Sequence, residues 1–140
     1  MKTYYIAGFV PEEDGKYSVY FPDIPGCQTW GENLAHATEN AADALRTMLE
    51  AMTRDNDAIP QPSSLANVRH EVQAIRRQDE LPYSDDTVYQ LVSAPSLDQT
   101  PVRINISLPR AVLDEIDQRA KDLGFTRSGY LAHAAMMCKN

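Results

Sequence analysis

The stretch VRINISL sets Arg103, Asn105 and Ser107 in strict alternation with Val102, Ile104, Ile106 and Leu108. Successive side chains of an extended chain point to opposite faces, so one face is polar and the other apolar. The polar types suit base edges in a DNA groove: Arg pairs bidentately with guanine, Asn with adenine, and Ser with either. Further along, Thr126, Arg127 and Ser128 stand where a helix begins. Unpaired N–H groups and the helix dipole attract a phosphate there. Base-reading and backbone-anchoring residues thus occupy separate positions, as a DNA reader requires. A bare alternating strand would be read as a solvated edge; the elements that follow it argue against that reading.

Other residues with chemical potential do not assemble into a reaction centre. Nuclease chemistry would need several convergent carboxylates around divalent metal. Asp14, Asp23, Glu32 and Asp43 are available, but Asp14 and Asp23 fall in turns and nothing in the spacing shows convergence. His36 and Glu39 stand at i and i+3 of a helix, the spacing of a surface pair. His70 with Glu71 reads as solvated, and His133 has no partner at metal-ligand spacing. Trp30 reads as a packing or interface residue. Cys27 and Cys138 lie far apart and read as reduced thiols. The expectation is no catalytic residue, no metal and no cofactor.

The elements that position the polar triad follow from residue order. Pro109 suits the first turn of a helix, where its missing N–H costs nothing. That helix runs to about Leu123, with Val112, Leu113, Ile116 and Ala120 on one face. Gly124 stands where a left-handed residue ends a helix, and Thr126 caps a second helix over 127–138. Its inward face would hold Tyr130, Leu131, Ala134 and Ala135. One strand and two short helices cannot close a core alone. Pairing the strand with its counterpart in a second chain would satisfy both its edge and its apolar face, leaving a two-stranded ribbon outside.

Upstream, YYIAGFV (4–10) and KYSVYF (16–21) read as strands joined by a turn at Asp14-Gly15. Pro25-Gly26 has type II turn chemistry, and 27–31 is a short third strand. Asn33 can cap a helix to about Arg54. Its stripe of Leu34, Ala37, Ala41, Leu45, Met48, Leu49 and Met52 would cover the sheet. Residues 64–77 suit a second, short helix with Leu65, Val68, Val72 and Ile75 on one side, and 87–94 a fourth strand. The expected class is α+β, ordered β-β-β-α-β with an extra helix before the last strand. PSLDQTP then has linker composition. The expected division is 1–96, a linker at 97–101, and 102–140.

Charge is divided along the same line. The 140-residue chain has a net charge of −7, which argues against a simple nucleic-acid binder. Yet residues 1–97 carry 15 acidic and 7 basic side chains, whereas residues 98–140 carry 5 and 6. The acidity belongs to the front of the chain, and such a split points to two partners of opposite sign. No run approaches the ~18 apolar residues of a membrane span. The N-terminal MKTYYIAGFVPEEDG lacks a signal peptide's apolar stretch, so a cytoplasmic protein without membrane contact is expected.

Two resemblances sharpen these readings. RINISLPRAVLDEID followed by LGFTRSGYL resembles the ribbon-helix-helix family, in which the strand dimerises and the second helix begins at a phosphate. FPDIPGCQTWGENLAHATENAADAL, with the later IPQPS, resembles the HicB-type antitoxin domain through Pro22, Asp23, Pro25, Gly26, Cys27 and Gly31. That likeness covers residues 4–63 well and 87–94 loosely, while 64–86 depart from the family pattern. It implies a partial ribonuclease H-like fold and a toxin–antitoxin system. The implied partners are a basic, mRNA-degrading HicA-type toxin and operator DNA, bound by a homodimer with room for pairing into a tetramer. An acidic domain would attract such a toxin. The second reading is an orphan regulator whose N-terminal domain oligomerises or senses a ligand.

Overall fold

The computed structural model describes residues 2–98 and 100–138. The chain divides into two compact units, Met1–Gln99 and Thr100–Asn140. In the first unit the strands are β1 (Tyr4–Pro11), β2 (Tyr17–Tyr20), β3 (Gln28–Gly31) and β4 (Val88–Ser93). Helices α1 (Leu34–Arg54) and α2 (Leu65–Gln78) lie between β3 and β4 in sequence. The second unit holds α3 (Arg110–Leu123) and α4 (Arg127–Met137).

The sheet is antiparallel, in the order β3-β2-β1-β4. Its turns follow the expected chemistry. Gly15 takes φ +85° in the β1–β2 connection and Gly26 φ +75° after Pro25. The Cys27 N–H closes the latter turn on the Ile24 carbonyl at 3.1 Å. Asn33 caps α1 by accepting the His36 N–H at 2.8 Å, and Ser64 caps α2 by accepting that of Asn67 at 3.2 Å.

Period-2 alternation sorts β1 into two cores. Tyr5, Ala7 and Phe9 join Val19, Phe21, Ile24, Cys27 and the α1 residues Ala37, Ala41, Leu45 and Leu49. Val10 joins Tyr20 and the α2 residues Val68 and Val72, with Ile6 and Tyr89 at the margin. The sheet is therefore covered on both faces, rather than resting on one main helix alone. The apolar stripe expected on α1 packs as read. On α2, Val68 and Val72 are buried but Leu65 is exposed, and the residue that extends the buried face is Arg76.

Arg76 is 1% exposed. Its guanidinium pairs with Glu12, donates to the Tyr20 hydroxyl at 3.2 Å, and through Nε to the Pro82 carbonyl at 2.8 Å. Ser18 adds a hydroxyl bond to Glu12 at 2.9 Å. Burial alone would push the Glu12 carboxyl up; the bonds from Arg76 and Ser18 outweigh it and hold the carboxyl below its ordinary value. Arginine cannot shed its charge in a protein, so this site is tolerable only while Glu12 is ionised.

Gly31 answers a different demand. A Cβ there would lie 2.2 Å from the Ala37 backbone N and 2.5 Å from its Cα. The first turn of α1 rests directly on the strand that precedes it, and no side chain fits between them. Gly31→Ala should cost about 3 kcal/mol or more, the upper range for overpacking, read as a fall in the chemical-denaturation midpoint. For Glu12, a folded pKa below the unfolded value means stability that is present above about pH 4.3 and lost as pH falls through the folded value. Wild type should exceed Glu12→Gln by about 2 kcal/mol at pH 7. That margin should shrink in denaturation curves taken below pH 4.

Candidate functional site

The second unit is where residue type and exposure diverge most. Its two helices are well defined. Pro109 stands at the N-cap of α3, and Gly124 ends the helix at φ +77°. The Phe125 N–H reaches back to the Ala120 carbonyl at 2.8 Å and that of Gly124 to Lys121 at 3.2 Å. This pair of bonds satisfies the last carbonyls of the helix in a Schellman arrangement. Thr126 then caps α4 by accepting the Gly129 N–H at 3.0 Å. Phe125 stacks on His133 at 5.0 Å between ring centroids and meets Tyr130 edge-on at 6.5 Å. His133 thus stacks on Phe125 while remaining exposed.

Yet among the described residues of this unit only Ala120 is buried. Val102, Ile104 and Ile106 are 81%, 73% and 60% exposed, and Leu108, Val112, Leu123, Met136 and Met137 are exposed too. The strand expected over 102–108 is absent from the single chain, where these residues make no sheet pairing. The physical reason is direct: a lone segment has no ladder to join, since strand bonds lie between chains or segments. Arg103, Asn105 and Ser107 are exposed on it, so this chain alone does not organise the expected polar face.

The phosphate-anchoring candidates are brought together at the start of α4. Thr126 is committed to its cap, with Ser128 exposed beside it. Arg127 does not extend freely into solvent. Its Nε and Nη2 donate to the two oxygens of Asp117 on α3, each at 2.8 Å. The bond from Arg127 holds the Asp117 carboxyl below its ordinary value, and Asp117 in turn raises Arg127. Asp117 was not among the residues singled out by sequence. Its spacing to Arg127 crosses two helices and a turn, so no periodicity marks it.

In the first unit Asp14, Asp23 and Asp43, three of the four carboxylates weighed for metal chemistry, take separate structural duties. Asp23 accepts the Ser63 N–H at 2.9 Å and its hydroxyl at 2.6 Å, tying the turn after β2 to the loop after α1. The Tyr5 hydroxyl donates to the Pro60 carbonyl of the same loop at 2.6 Å. Burial, and then the Asp23 charge, push that phenol up. Asp14 lies 3.6 Å from Lys16 and Asp43 3.4 Å from Arg46, both at the surface. No cluster of three or more His, Cys, Asp or Glu side chains suited to a metal forms among the described residues.

His36 accepts the Glu32 N–H at Nδ1 (3.0 Å) and so reinforces the start of α1 rather than pairing with Glu39. Cys27 is buried, which pushes its thiol up to about 11 and leaves it protonated at neutral pH. Trp30, on edge strand β3, is 51% exposed with Lys16 Nζ 5.3 Å from its ring centroid. No helix among the described residues is long and apolar enough to cross a membrane.

Together these features define a mixed α+β chain whose first unit is closed on itself and whose second exposes most of its apolar side chains. The model of the HicB-like antitoxins of bacterial toxin–antitoxin systems matches residues 5–135, and the chain belongs to that family. The match runs through both units. Antitoxin HicB of Escherichia coli K12 is 42% identical over 66 residues, 47% of this chain and 48% of that protein. The chain thus spans about half the length of that curated relative. Among solved structures, the Burkholderia pseudomallei antitoxin HicB is 31% identical, with a TM-score of 0.50 over 96% of this chain and 94% of that one. A toxin–antitoxin complex from Streptococcus pneumoniae shares the fold, with a TM-score of 0.57 at 22% identity over 97% of this chain and 98% of that one.

Proposed function

We propose that the chain is an antitoxin that neutralises a HicA-type, mRNA-degrading toxin through its acidic first unit. Its second unit, in this reading, binds operator DNA as a ribbon-helix-helix homodimer and so represses its own operon. Family membership supports the first half. The acidity of residues 1–97 adds to it, since a negative surface speeds capture of a basic RNA-binding protein.

One observation carries the second half: among its described residues, a unit with two well-formed helices buries Ala120 alone and leaves Val102, Ile104 and Ile106 in solvent. Covering these residues at about 25 cal/mol per Å² is the strongest available drive for association. A second copy supplies both the apolar cover and the missing strand partner. Antiparallel pairing of the two segments would bury Val102, Ile104, Ile106 and Leu108 against four helices. It would present Arg103, Asn105 and Ser107 twice on one ribbon, of a width the major groove admits. Two such dimers joined through their first units would make a tetramer.

Two experiments test this reading. Co-expression with the product of the neighbouring reading frame, followed by native mass measurement, should return a stable complex with a small basic protein. A chain that elutes without that protein counts against the toxin-binding half. Arg103→Ala should abolish discrimination between the upstream DNA of its own gene and unrelated duplex while leaving the dimer mass unchanged. Each bidentate base contact discriminates by about 1–3 kcal/mol, and the dimer has two. Full operator selectivity in Arg103→Ala would exclude the ribbon as the reading surface.

A further inference from the structure

The Asp117–Arg127 pair has a consequence for how tightly DNA could be held. The pair joins the middle of α3 to the first residue of α4, with both side chains about half exposed. Asp117 engages Nε and Nη2, one of the two edges of the guanidinium that a phosphate can take bidentately. The first turn of α4 contains no acidic residue of its own. The carboxylate that meets the first side chain of this helix therefore comes from the neighbouring helix. Its two oxygens stand in for two phosphate oxygens.

Resting on the ribbon-helix-helix reading above, we propose that Asp117 is an internal competitor of the DNA phosphate for Arg127, setting the strength of backbone anchoring. In the free protein the pair is neutral, and Arg127 contributes little net attraction to DNA. A bound phosphate either displaces Asp117 from this edge or takes the three remaining N–H donors, two on Nη1 and one on Nη2, while the carboxylate stays beside it. Both routes subtract from the affinity that an unengaged arginine would supply. The α4 N–H groups of Arg127 and Ser128 keep their place beside the site in either case, because a helix leaves its first N–H groups without an internal partner. Asp117 thus weakens binding to all sequences alike, leaving the base-reading ribbon to decide where the protein stays. Non-specific binding is the form of occupancy that an autorepressor gains by suppressing, since it competes with the one correct site.

The experiment uses the full chain with two probes, a duplex from upstream of its own gene and an unrelated duplex of equal length. Asp117→Asn should bind both duplexes roughly three- to tenfold more tightly at fixed salt. The slope of log affinity against log salt should steepen by about 0.9 for each phosphate newly neutralised. Removing any acidic charge favours DNA at long range, so the same substitution is repeated in an Arg127→Ala background. There the gain should fall to less than half of its wild-type size. Circular dichroism and native mass check that the helices and the dimer persist. Asp117→Ser serves as the second variant should the amide disturb either. No gain in Asp117→Asn, or an equal gain without Arg127, overturns the inference while leaving DNA binding intact. Wild type that binds neither duplex at low salt overturns the DNA-binding reading itself, and the competition with it.

Discussion

Everything in the first unit depends on β1 being buried on both faces. A strand in that position must satisfy two cores at once, and β1 does so by strict alternation. Tyr5, Ala7 and Phe9 serve α1, while Ile6 and Val10 serve α2. Gly8, between them, is where the α2 side approaches most closely. A Cβ at Gly8 would meet Val72 at 3.0 Å and the Tyr89 ring at 3.1 Å. A shift of one residue in register would exchange the two sets and place each against the wrong helix. The hairpin turn and the β4 pairing are thereby held to a single alignment, and the helices have only one way to sit.

Fixing the strand does not by itself fix the loops, which are held by polar links made over long sequence separations. Asp23 and Tyr5 both bind the loop after α1, through Ser63 and Pro60. The Glu12–Arg76 pair joins the end of β1 to the end of α2, and Pro82 joins the following loop to the same guanidinium. These links show how residues 64–86 are held against the sheet. Their helix meets the sheet through Val68, Val72 and one compensated charge. Asp23 serves in one of these ties, while Asp14 and Asp43 are paired at the surface.

The second unit has the opposite character. Its local structure is well formed, with Thr126 capping α4 and the turn between the helices closed by Gly124 and Phe125, but its burial is not complete. Helix ends are satisfied by neighbours in sequence, whereas apolar faces need partners in space. In the proposed reading the partner is a second copy. The acidic first unit and the near-neutral second unit then face different ligands without one charge pattern having to serve both.

Sequence by itself determined the elements of this protein and the faces of most of them. Strand alternation, the α1 stripe, the Pro25-Gly26 turn, Asn33, Gly124 and Thr126 act within a few residues, so their meaning is contained in a short window. The placement of α1, α2 and the four strands follows from such signals to within a residue or two. Other facts were decided only by tertiary structure. Arg76 looks like a solvated helix residue until Glu12, 64 positions away, is brought beside it. Gly31 looks like a flexible strand residue until the α1 backbone arrives against it. Asp117 looks like one of several surface acids until α4 folds back to present Arg127. The 102–108 segment is the reverse case. Its alternation is plain in sequence, yet a single chain cannot turn it into a strand, because the bonds that define a strand belong to a pair.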